Sequence, residues 1–194
     1  MSFKRPMDQE IRLNLGCGNK RKEDYLGIDR FPCAAVDLVA DITNPLPFAD
    51  SSVSEVWADN VIEHVSDIPA LMQEIHRVCR DGAEVTLITP HYTSISSWND
   101  PTHVHHLSYF SMDHFSREAV VHYTGGGFEV VARRLSFPGG VFGLLGRLAF
   151  SVSPKWWESR LSFIFRASTL RFRLKVVKTL PVAEMRNSSG GAMK

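Results

Sequence analysis

The chain has 194 residues, of which 44% are hydrophobic and 22% are charged, and its 22 lysines and arginines oppose 21 aspartates and glutamates. This composition is typical of a single globular domain and excludes disordered, collagen-like and coiled-coil proteins. The three cysteines form no CxxC pair, which argues against a disulfide framework and against a cysteine zinc site.

The ends of the chain and its apolar runs bear on its location. Residues 1–10 lack the apolar stretch of a signal peptide, and the most apolar later run, 141–150, is short and contains Arg147. A cytoplasmic protein is therefore expected. Residues 186–194 are small and polar, so we expect one domain over 1–185 followed by a mobile tail.

Positive charge is concentrated in one part of the sequence. Residues 131–180 contain ten lysines and arginines and a single acid, Glu158, which gives a net charge of +9 and leaves −8 for the rest of the chain. The two parts of the molecule are therefore expected to face different surroundings.

Five short apolar runs each end in polar or glycine residues, which is typical of the strands of a parallel sheet. The first, 11–15, alternates apolar and polar residues and leads into Gly16, Cys17 and Gly18. The others are predicted at 25–28, 35–40, 54–58 and 84–89, and are followed by Asp29, Asp41, Asn60 and His91. Because ligands of such sheets bind at the carboxyl ends of the strands, these residues are predicted to meet at one edge.

The remaining elements complete an α/β pattern. Apolar residues at helical spacing from Ile68 to Cys79 predict a helix that packs on the sheet, with Asp67 capping its start and Gly82 its end. A second helix is predicted over 111–123, a strand over 128–135, and a half-exposed edge strand over 171–176. If the strand at 128–135 is parallel to its neighbours, the segment that follows it emerges on the ligand side of the sheet.

The polar residues at this edge have the chemistry of a nucleoside site. The Gly-Cys-Gly turn lets a ligand approach the backbone closely, because a Cβ atom there would collide with it. Asp29 can bind the two hydroxyls of a ribose, and Asp41 can accept a hydrogen bond from an adenine amino group. The third residue after Gly18 is Arg21 and not glycine, which argues against a dinucleotide-binding fingerprint.

The ordered series of motifs in residues 11–91 resembles class I S-adenosylmethionine-dependent methyltransferases, in particular the small bacterial type 11 group. The motifs are Leu-Asn-Leu-Gly-Cys-Gly at 13–18, Leu-Gly-Ile-Asp at 26–29, Ala-Asp-Ile-Thr at 40–43 with Leu-Pro-Phe at 46–48, Asp-Asn-Val-Ile-Glu-His at 59–64 and Ile-His-Arg-Val at 75–78. The resemblance implies a Rossmann-like, doubly wound, mostly parallel sheet with an antiparallel C-terminal edge strand, and S-adenosyl-L-methionine as the cofactor.

The resemblance also implies which residues bind the cofactor. These are Gly16, Cys17 and Gly18 at its methionine part, Asp29 at its ribose, Asp41 and Ile42 at its adenine, and Asn60 near its sulfonium. Only ten residues separate Gly18 from Asp29, which is short for a crossover between parallel strands. The first helix of the fold is therefore predicted to be shortened to a turn.

Four of the eight histidines follow the fifth strand closely; they are His91, His103, His105 and His106. Methyl transfer to a hydroxyl requires removal of the acceptor proton, and imidazole titrates near neutral pH, so His103 and His91 are predicted to be acid–base or acceptor-orienting residues. One alternative is that the histidines stabilise their loop by hydrogen bonds. Another is a metal site formed with Asp100, which is least favoured because His105 and His106 are adjacent, so no metal is predicted.

The acceptor is indicated by resemblance alone. Asp-Pro-Thr-His at 100–103, followed by Tyr109 and Phe110, is similar to segments of methyltransferases encoded with polysaccharide biosynthesis, which implies a saccharide or lipid-linked glycan hydroxyl. The alternatives are a small molecule, RNA, or a non-catalytic cofactor-binding partner protein. Nucleic acid is disfavoured because no RNA-binding motif is evident and the Asn-Pro-Pro-Tyr type of signature is absent.

Residues 137–170 combine bulky apolar side chains, including Trp156 and Trp157, with basic residues. They are predicted to form a helical lid insertion. This lid either packs on the sheet or forms a homodimer interface, or it touches an anionic membrane surface, where basic residues that flank tryptophan are favoured. The last alternative implies a peripheral protein at the inner membrane face.

Overall fold

The computed structural model describes residues 10–116 and 127–178. These residues form a seven-stranded sheet in the order β3-β2-β1-β4-β5-β7-β6. The strands are β1 (Ile11–Leu15), β2 (Leu26–Asp29), β3 (Leu38–Val39), β4 (Val53–Asp59), β5 (Cys79–Pro90), β6 (Phe128–Leu135) and β7 (Thr169–Val176). The α-helices are α1 (Ile68–Val78), α2 (Val141–Val152) and α3 (Pro154–Arg160).

The sheet has the mixed topology that the sequence predicts. Neighbouring strands among β1 to β5 pair in parallel, whereas β7 is antiparallel to both β5 and β6. Consequently β6 runs in the same direction as β1 to β5, and its carboxyl end lies at the ligand edge. The α/β, mostly parallel fold class is confirmed.

The predicted edge position of the last strand is wrong. β7 lies between β5 and β6, so both of its sides are paired. Along β7 the exposed residues Arg171, Arg173 and Lys175 alternate with buried ones. Such alternation reports which face of a strand meets solvent, and it carries no information about whether the strand has a neighbour on each side.

Helix α1 forms as its sequence pattern predicts. The side chain of Asp67 accepts a hydrogen bond from the backbone N–H of Ala70 at 2.9 Å, which caps the helix. Its buried stripe packs into a core shared with the central strands β1, β4 and β5, and consists of Ile68, Leu71, Met72, Ile75 and Val78. The predicted cap at Gly82 is wrong: the helix ends at Val78, and Gly82 lies within β5, which begins directly after Val78.

Other elements are shorter than the pattern suggests. The segment between Gly18 and β2 contains turns and no helix, as the short spacing predicts, and β3 is only two residues long. Of the helix predicted over 111–123, the described part is a 3₁₀ turn, Ser111–Phe115, and residues 117–123 lie outside the described residues. The predicted tail, 186–194, also lies outside them.

The segment predicted to be a lid leaves the sheet after β6 and contains α2 and α3. Its two ends are joined by backbone hydrogen bonds, from Ser136 N–H to the Thr169 carbonyl at 2.9 Å and from Ser168 N–H to the Ser136 carbonyl at 2.8 Å. Neither these helices nor α1, the three in the described ranges, are long and apolar enough to cross a membrane.

Candidate functional site

A cleft of about 450 Å³ opens at the carboxyl ends of β1 to β4, which is a size that suits a small molecule. Five of the seven residues predicted to bind cofactor line it: Gly16, Asp29, Asp41, Ile42 and Asn60. Its lining also includes Arg30, Phe31, Ala40, Thr43, Val61, His64, Val65 and Thr102.

The glycine turn after β1 adopts a backbone conformation that favours glycine. Gly16 and Gly18 have φ angles of 61° and 50°, in the left-handed region. A Cβ atom on Gly16 would lie 2.4 Å from Cγ2 of Val61, so the turn could not pack there with a larger residue. A Cβ atom on Gly18 would meet nothing within 4 Å among the described residues, so the backbone at Gly18 is open to close approach.

Asp29 ends β2 and faces this turn. Its Oδ2 accepts a hydrogen bond from the backbone N–H of Gly18 at 2.9 Å, and its Oδ1 accepts one from Phe31 N–H at 3.0 Å. A carboxylate oxygen can accept two hydrogen bonds, so each oxygen retains a lone pair. The side chain can therefore hold the glycine turn and still accept both hydroxyls of a diol.

Asp41 is fixed in a charged, outward-facing state. Its Oδ1 accepts hydrogen bonds from the backbone N–H of Thr43 at 2.9 Å and from the Thr43 hydroxyl at 2.7 Å. These two bonds lower the pKa of Asp41 below its ordinary value. Beside it, Ile42 and the exposed ring of Phe31 supply apolar surface to the cleft. Phe31 is a lining residue that sequence reasoning missed.

Cys17 and Gly18 lie differently from the other predicted residues. The Cys17 thiol points into the protein, where its sulfur is 3.5 Å from the Ala35 carbonyl oxygen, and burial raises the pKa of this thiol. Cys17 lines a smaller hollow of about 190 Å³ that shares Gly16 with the cleft. Gly18 is connected to the cleft by the hydrogen bond that its backbone N–H donates to Asp29.

Asn60 occupies a constrained position directly after β4. Its φ angle of 56° is left-handed, a conformation that asparagine tolerates better than most residues. Its side-chain amide donates to Asp59 Oδ1 at 3.0 Å, and its backbone N–H donates to the Ile88 carbonyl at 2.9 Å. The side chain is thereby held at the mouth of the cleft.

Beyond Asn60, a cluster of three side chains stands behind the cleft wall: Glu63, His64 and His103, here called the Glu63 cluster. Glu63 and His64 belong to a 3₁₀ turn, Ile62–His64, after β4, and His103 belongs to the loop after β5. The loop docks on the turn through the Glu63 carbonyl oxygen, which accepts from the N–H groups of Val104 at 2.9 Å and His105 at 3.2 Å.

The two histidines of the cluster are held by the same loop. His103 Nδ1 lies 3.1 Å from the carbonyl oxygen of Ser97, and His64 Nδ1 lies 2.9 Å from the hydroxyl of Thr102, which itself donates to Asp100. The imidazole rings meet edge to face with centroids 4.5 Å apart. His64 lines the cleft, whereas His103 is largely covered and lies beside it.

Glu63 is the unusual member of the cluster. It is only 1% exposed, yet neither of its carboxylate oxygens has a hydrogen-bond partner among the described residues. Burial raises the pKa of the Glu63 carboxyl. A carboxyl in such a place stands out because buried polar atoms are almost always hydrogen-bonded.

The structure separates the two histidines predicted to be catalytic. His91 is fully buried and does not line the cleft. Its Nδ1 is 2.7 Å from the Thr93 hydroxyl, and its Nε2 is 3.1 Å from Oε1 of Glu158 in α3. Glu158 also accepts from the backbone N–H of Tyr109 at 2.9 Å. His91 therefore joins the end of β5 to α3, and only His103 lies near the cleft.

His105 and His106 form contacts that stabilise their loop. His105 Nε2 lies 3.2 Å from the Ser66 carbonyl oxygen, and His106 stacks on Trp98 with ring centroids 3.6 Å apart. The set of His103, His105, His106 and Asp100, considered from sequence, does not gather in one place. In the described parts of the chain, the group whose ligand atoms converge is the Glu63 cluster. The sequence signal that could have identified the Glu63 cluster is that its two chain segments follow neighbouring parallel strands, β4 and β5.

Helices α2 and α3 and the turn after them expose a large apolar surface, here called the lid surface. Phe142 is 64% exposed, Trp156 51% and Phe163 70%. Its members are Phe142, Leu144, Leu145, Leu148, Val152, Trp156, Phe163 and Ile164. The neighbouring Trp157 is fully buried and packs against Phe137, Phe150 and His91. The two adjacent tryptophans thus have opposite environments.

Comparison with known protein families finds one match. Residues 19–87 match a methyltransferase domain of type 11. The match begins directly after the glycine turn and includes Asp29, Asp41, Ile42 and Asn60, whereas His91 and His103 follow it. No curated protein matches the sequence.

Several solved structures with a similar fold and low sequence identity are described as methyltransferases. An S-adenosylmethionine-dependent methyltransferase from Archaeoglobus fulgidus is 15% identical, with a TM-score of 0.58 over 87% of this chain and 86% of that one. One from Mesorhizobium loti is 14% identical, with a TM-score of 0.53 over 85% and 90%. A putative methyltransferase from Haloferax volcanii, solved with the activator Trm112, is 15% identical, with a TM-score of 0.54 over 88% and 84%.

Proposed function

We propose that this chain, a class I S-adenosylmethionine-dependent methyltransferase, methylates a hydroxyl group of a lipid-linked saccharide at an anionic membrane surface. The observation that carries the proposal is the lid surface, which is apolar and exposed and belongs to the segment that leaves β6 on the carboxyl-end side of the sheet, the side on which the cleft opens. The cofactor site binds the methyl donor and the Glu63 cluster activates the acceptor hydroxyl. The lid surface brings the protein to the membrane in which the acceptor lies.

The residues of the cleft fit the cofactor. The open backbone at Gly18 leaves room for a ligand, Asp29 can accept two ribose hydroxyls, and Asp41 with Ile42 offers a polar and an apolar contact for adenine. S-adenosyl-L-methionine, when bound, supplies a methyl group on a positively charged sulfur. The protein then has to place an acceptor oxygen in line with that bond and exclude water.

Activation of the acceptor hydroxyl is assigned to the Glu63 cluster, with His103 as the predicted catalytic residue. The cluster reaches the cleft through His64, which lines it together with Thr102. A hydroxyl is a weak nucleophile, so a group that accepts its proton as the new bond forms speeds methyl transfer. His91 serves as a positioning residue, because it acts through α3.

The lid surface fits the boundary between water and lipid. Eight large apolar side chains exposed on α2, α3 and the turn after them are more than a monomer usually leaves to solvent. The exposed basic residues beside them are Arg147, Lys155, Arg160 and Arg166. Each basic residue near an anionic membrane adds about 1 kcal/mol of attraction, and the apolar side chains insert beneath the headgroups. Membrane contact would place the cleft at the surface where a lipid-linked acceptor lies.

Sedimentation with vesicles tests the membrane contact. The protein should bind vesicles of phosphatidylglycerol and phosphatidylcholine, and should bind phosphatidylcholine alone much more weakly. Replacing Trp156 and Phe163 together by alanine should weaken binding at least about tenfold, because each inserted aromatic side chain contributes about 1.5–3 kcal/mol when fully buried. Val131→Ala, an exposed apolar residue of β6, is the matched control.

Failure to bind the anionic vesicles would contradict the proposal. The lid surface would then be covered by a second copy of the chain or by a protein partner, as the Haloferax volcanii methyltransferase is bound to its activator. A water-soluble acceptor would become the better assignment.

Transfer of labelled methyl groups tests the acceptor class. The protein is incubated with methyl-labelled cofactor and separated cell-extract fractions of lipid, free saccharide, RNA and small molecules. Label should enter the lipid fraction and pass into the aqueous phase once the lipid–saccharide linkage is hydrolysed. Label found only in RNA or in free small molecules would overturn the lipid-linked acceptor.

A further inference from the structure

We propose that the side chains of Glu63, His64 and His103 bind a divalent transition-metal ion beside the cleft. The geometry of the three side chains and the burial of Glu63 point to this site. Its role in activating the acceptor hydroxyl rests on the proposed function.

The three side chains supply a recognised set of metal ligands. One ligand atom from each, a carboxylate oxygen and one ring nitrogen of each histidine, lie within 4.8 Å of one another. Two imidazoles and one carboxylate suit zinc and other first-row divalent ions, whereas magnesium and calcium prefer oxygen ligands only. The ligands come from two chain segments that the neighbouring strands β4 and β5 bring together, so the folded protein assembles the site.

The hydrogen bonding of His103 directs a lone pair into the cluster. A carbonyl oxygen can only accept, so His103 Nδ1 donates its proton to Ser97, and Nε2 of the neutral ring is left with a lone pair. That Nε2 lies 4.0 Å from Glu63 Oε1 and 3.8 Å from Asp100 Oδ2. These distances are too long for hydrogen bonds.

The burial of Glu63 is a second indication that a cation binds at this cluster. Its carboxylate is almost completely buried, and neither oxygen has a hydrogen bond of normal geometry among the described residues; the nearby hydroxyl of Thr89, which also lacks such a bond, lowers the pKa of Glu63 only against the larger effect of burial. A buried carboxylate facing the lone pair of an imidazole is unfavourable unless something positive lies between them. A divalent cation satisfies the carboxylate and the imidazole at once.

The surroundings of the cluster resemble the support that metal ligands need. His103 is oriented by the Ser97 carbonyl, and His64 by the hydroxyl of Thr102, which Asp100 orients in turn. Such outer contacts fix the ring orientation of ligating histidines. The turn that carries Glu63 and His64 is fastened to the loop by the bonds from Val104 and His105.

An ion held by three protein ligands keeps at least one coordination position for another molecule, as catalytic zinc sites do. Because His64 lines the cleft, that position would face it. On the proposed function, the acceptor hydroxyl occupies the position, where the cation orients the oxygen and stabilises the negative charge that develops on it.

Metal binding can be measured without acceptor or cofactor. Chelator-treated full-length protein is titrated with Co²⁺ and Zn²⁺ and followed by calorimetry and by the visible absorption of Co²⁺. We expect one site per chain, Co²⁺ absorption typical of nitrogen and oxygen ligands, and displacement of Co²⁺ by Zn²⁺. Absence of specific binding by the intact protein would overturn the inference.

Substitutions locate the site. Glu63→Gln and His103→Asn should each reduce metal affinity at least tenfold, whereas His106→Ala, in the same loop but outside the cluster, should leave it unchanged. Cofactor affinity, measured separately, should stay the same in all three variants, which shows that each is folded. Metal affinity that Glu63→Gln and His103→Asn leave unaltered would place the bound ion elsewhere and refute the site.

The outcome separates this inference from the proposed function. Methyl transfer to the lipid fraction that continues at full rate in chelator, with no metal bound, would refute the cation and leave the function standing. Metal binding that depends on Glu63, together with a failure to methylate any lipid-linked saccharide, would support the site and refute the acceptor.

Discussion

Asp29 shows how one side chain can serve both the fold and the ligand. Asp29 is the last residue of β2, and its carboxylate accepts a hydrogen bond from the Gly18 N–H. This bond holds the glycine turn next to β2, with only ten residues between Gly18 and Asp29. Together with the hydrogen bond from Cys17 N–H to the Ile28 carbonyl at 3.1 Å, this bond keeps the turn beside the second strand. The same oxygens remain able to accept two more hydrogen bonds.

Replacing Asp29 by alanine should weaken binding of S-adenosylmethionine by about 1.5–3 kcal/mol, the range for a lost hydrogen bond to a charged group. Titration calorimetry of the variant against the parent protein measures this change. Asp50→Ala, which removes an exposed carboxylate that does not line the cleft, should leave the affinity unchanged. Equal affinities for the parent and Asp29→Ala would mean that Asp29 only holds the turn.

His103 is the residue on which the proposed chemistry depends. His103→Ala should lower turnover by roughly 10²–10⁴, the range for loss of a group that assists proton removal, because the Glu63 cluster loses one of its two imidazoles. Affinity for the cofactor should remain nearly the same, since His103 does not line the cleft. Steady-state rates with labelled cofactor give the turnover. A variant that keeps full turnover would show that His103 is structural, and His106→Ala is the control within the loop.

The Ile-His-Arg-Val motif of α1 has a structural role, which is to hold the segment before β4 against the helix. Arg77 donates to the carbonyl oxygens of Leu46 and Phe48 and to the carboxylate of Glu74, while Glu74 accepts from the backbone N–H of Leu46 at 2.6 Å. The pair thereby fastens the segment before β4 to the helix.

This network should make stability depend on pH. Hydrogen bonds from Arg77, the largest cause, lower the pKa of Glu74 below that of a free glutamate. A carboxyl with a lowered pKa in the folded state stabilises the protein above the unfolded-state pKa of about 4.3, and this contribution is lost as pH falls further. Glu74→Gln should therefore cost about 1–3 kcal/mol at neutral pH and progressively less below about pH 4.

Urea unfolding of the parent and of Glu74→Gln across this pH range measures the difference. A difference that is constant with pH would show that the carboxylate charge of Glu74 is not what stabilises the segment. Glu129→Gln, a glutamate of β6 outside this network, serves as the control.

The local elements were largely predictable because their causes are local. The spacing of apolar residues predicts α1, and the polar residues after each apolar run predict the carboxyl ends of the strands. The position of β7 was not predictable, since alternation along a strand does not show which strands flank it. The Glu63 cluster was missed for a related reason: Glu63 and His103 lie forty residues apart in sequence, and only the pairing of β4 with β5 brings them together.

At the scale of the whole molecule, charge is divided between two regions. The segment 131–180 carries +9 and the remainder −8, and the segment includes β6, β7 and the lid surface. An anionic surface would attract one side of the molecule and repel the other. The protein should therefore approach a membrane in one orientation, with the lid surface leading.

Ionic strength should separate the two contributions to membrane binding. Attraction between charges is screened over about 8 Å at physiological salt and about 3 Å at 1 M, whereas apolar insertion is not screened. Binding to anionic vesicles should fall steeply with added salt and level off at the weaker affinity seen with neutral vesicles. Affinity that does not change with salt would show that the basic residues do not face the lipid.

The hydrogen bonds that join Ser136 to Thr169 and Ser168 give the lid segment a further consequence. They close the base of the segment, so that α2 and α3 form the connection of an antiparallel hairpin between β6 and β7. A connection of this kind can lengthen, shorten or be exchanged at little entropic cost, about 0.6 kcal/mol for each doubling of its length, while the register of the sheet is kept. On the proposed function, relatives of this chain would acquire new acceptors by replacing one hairpin connection, without altering the strand ends proposed to bind the cofactor.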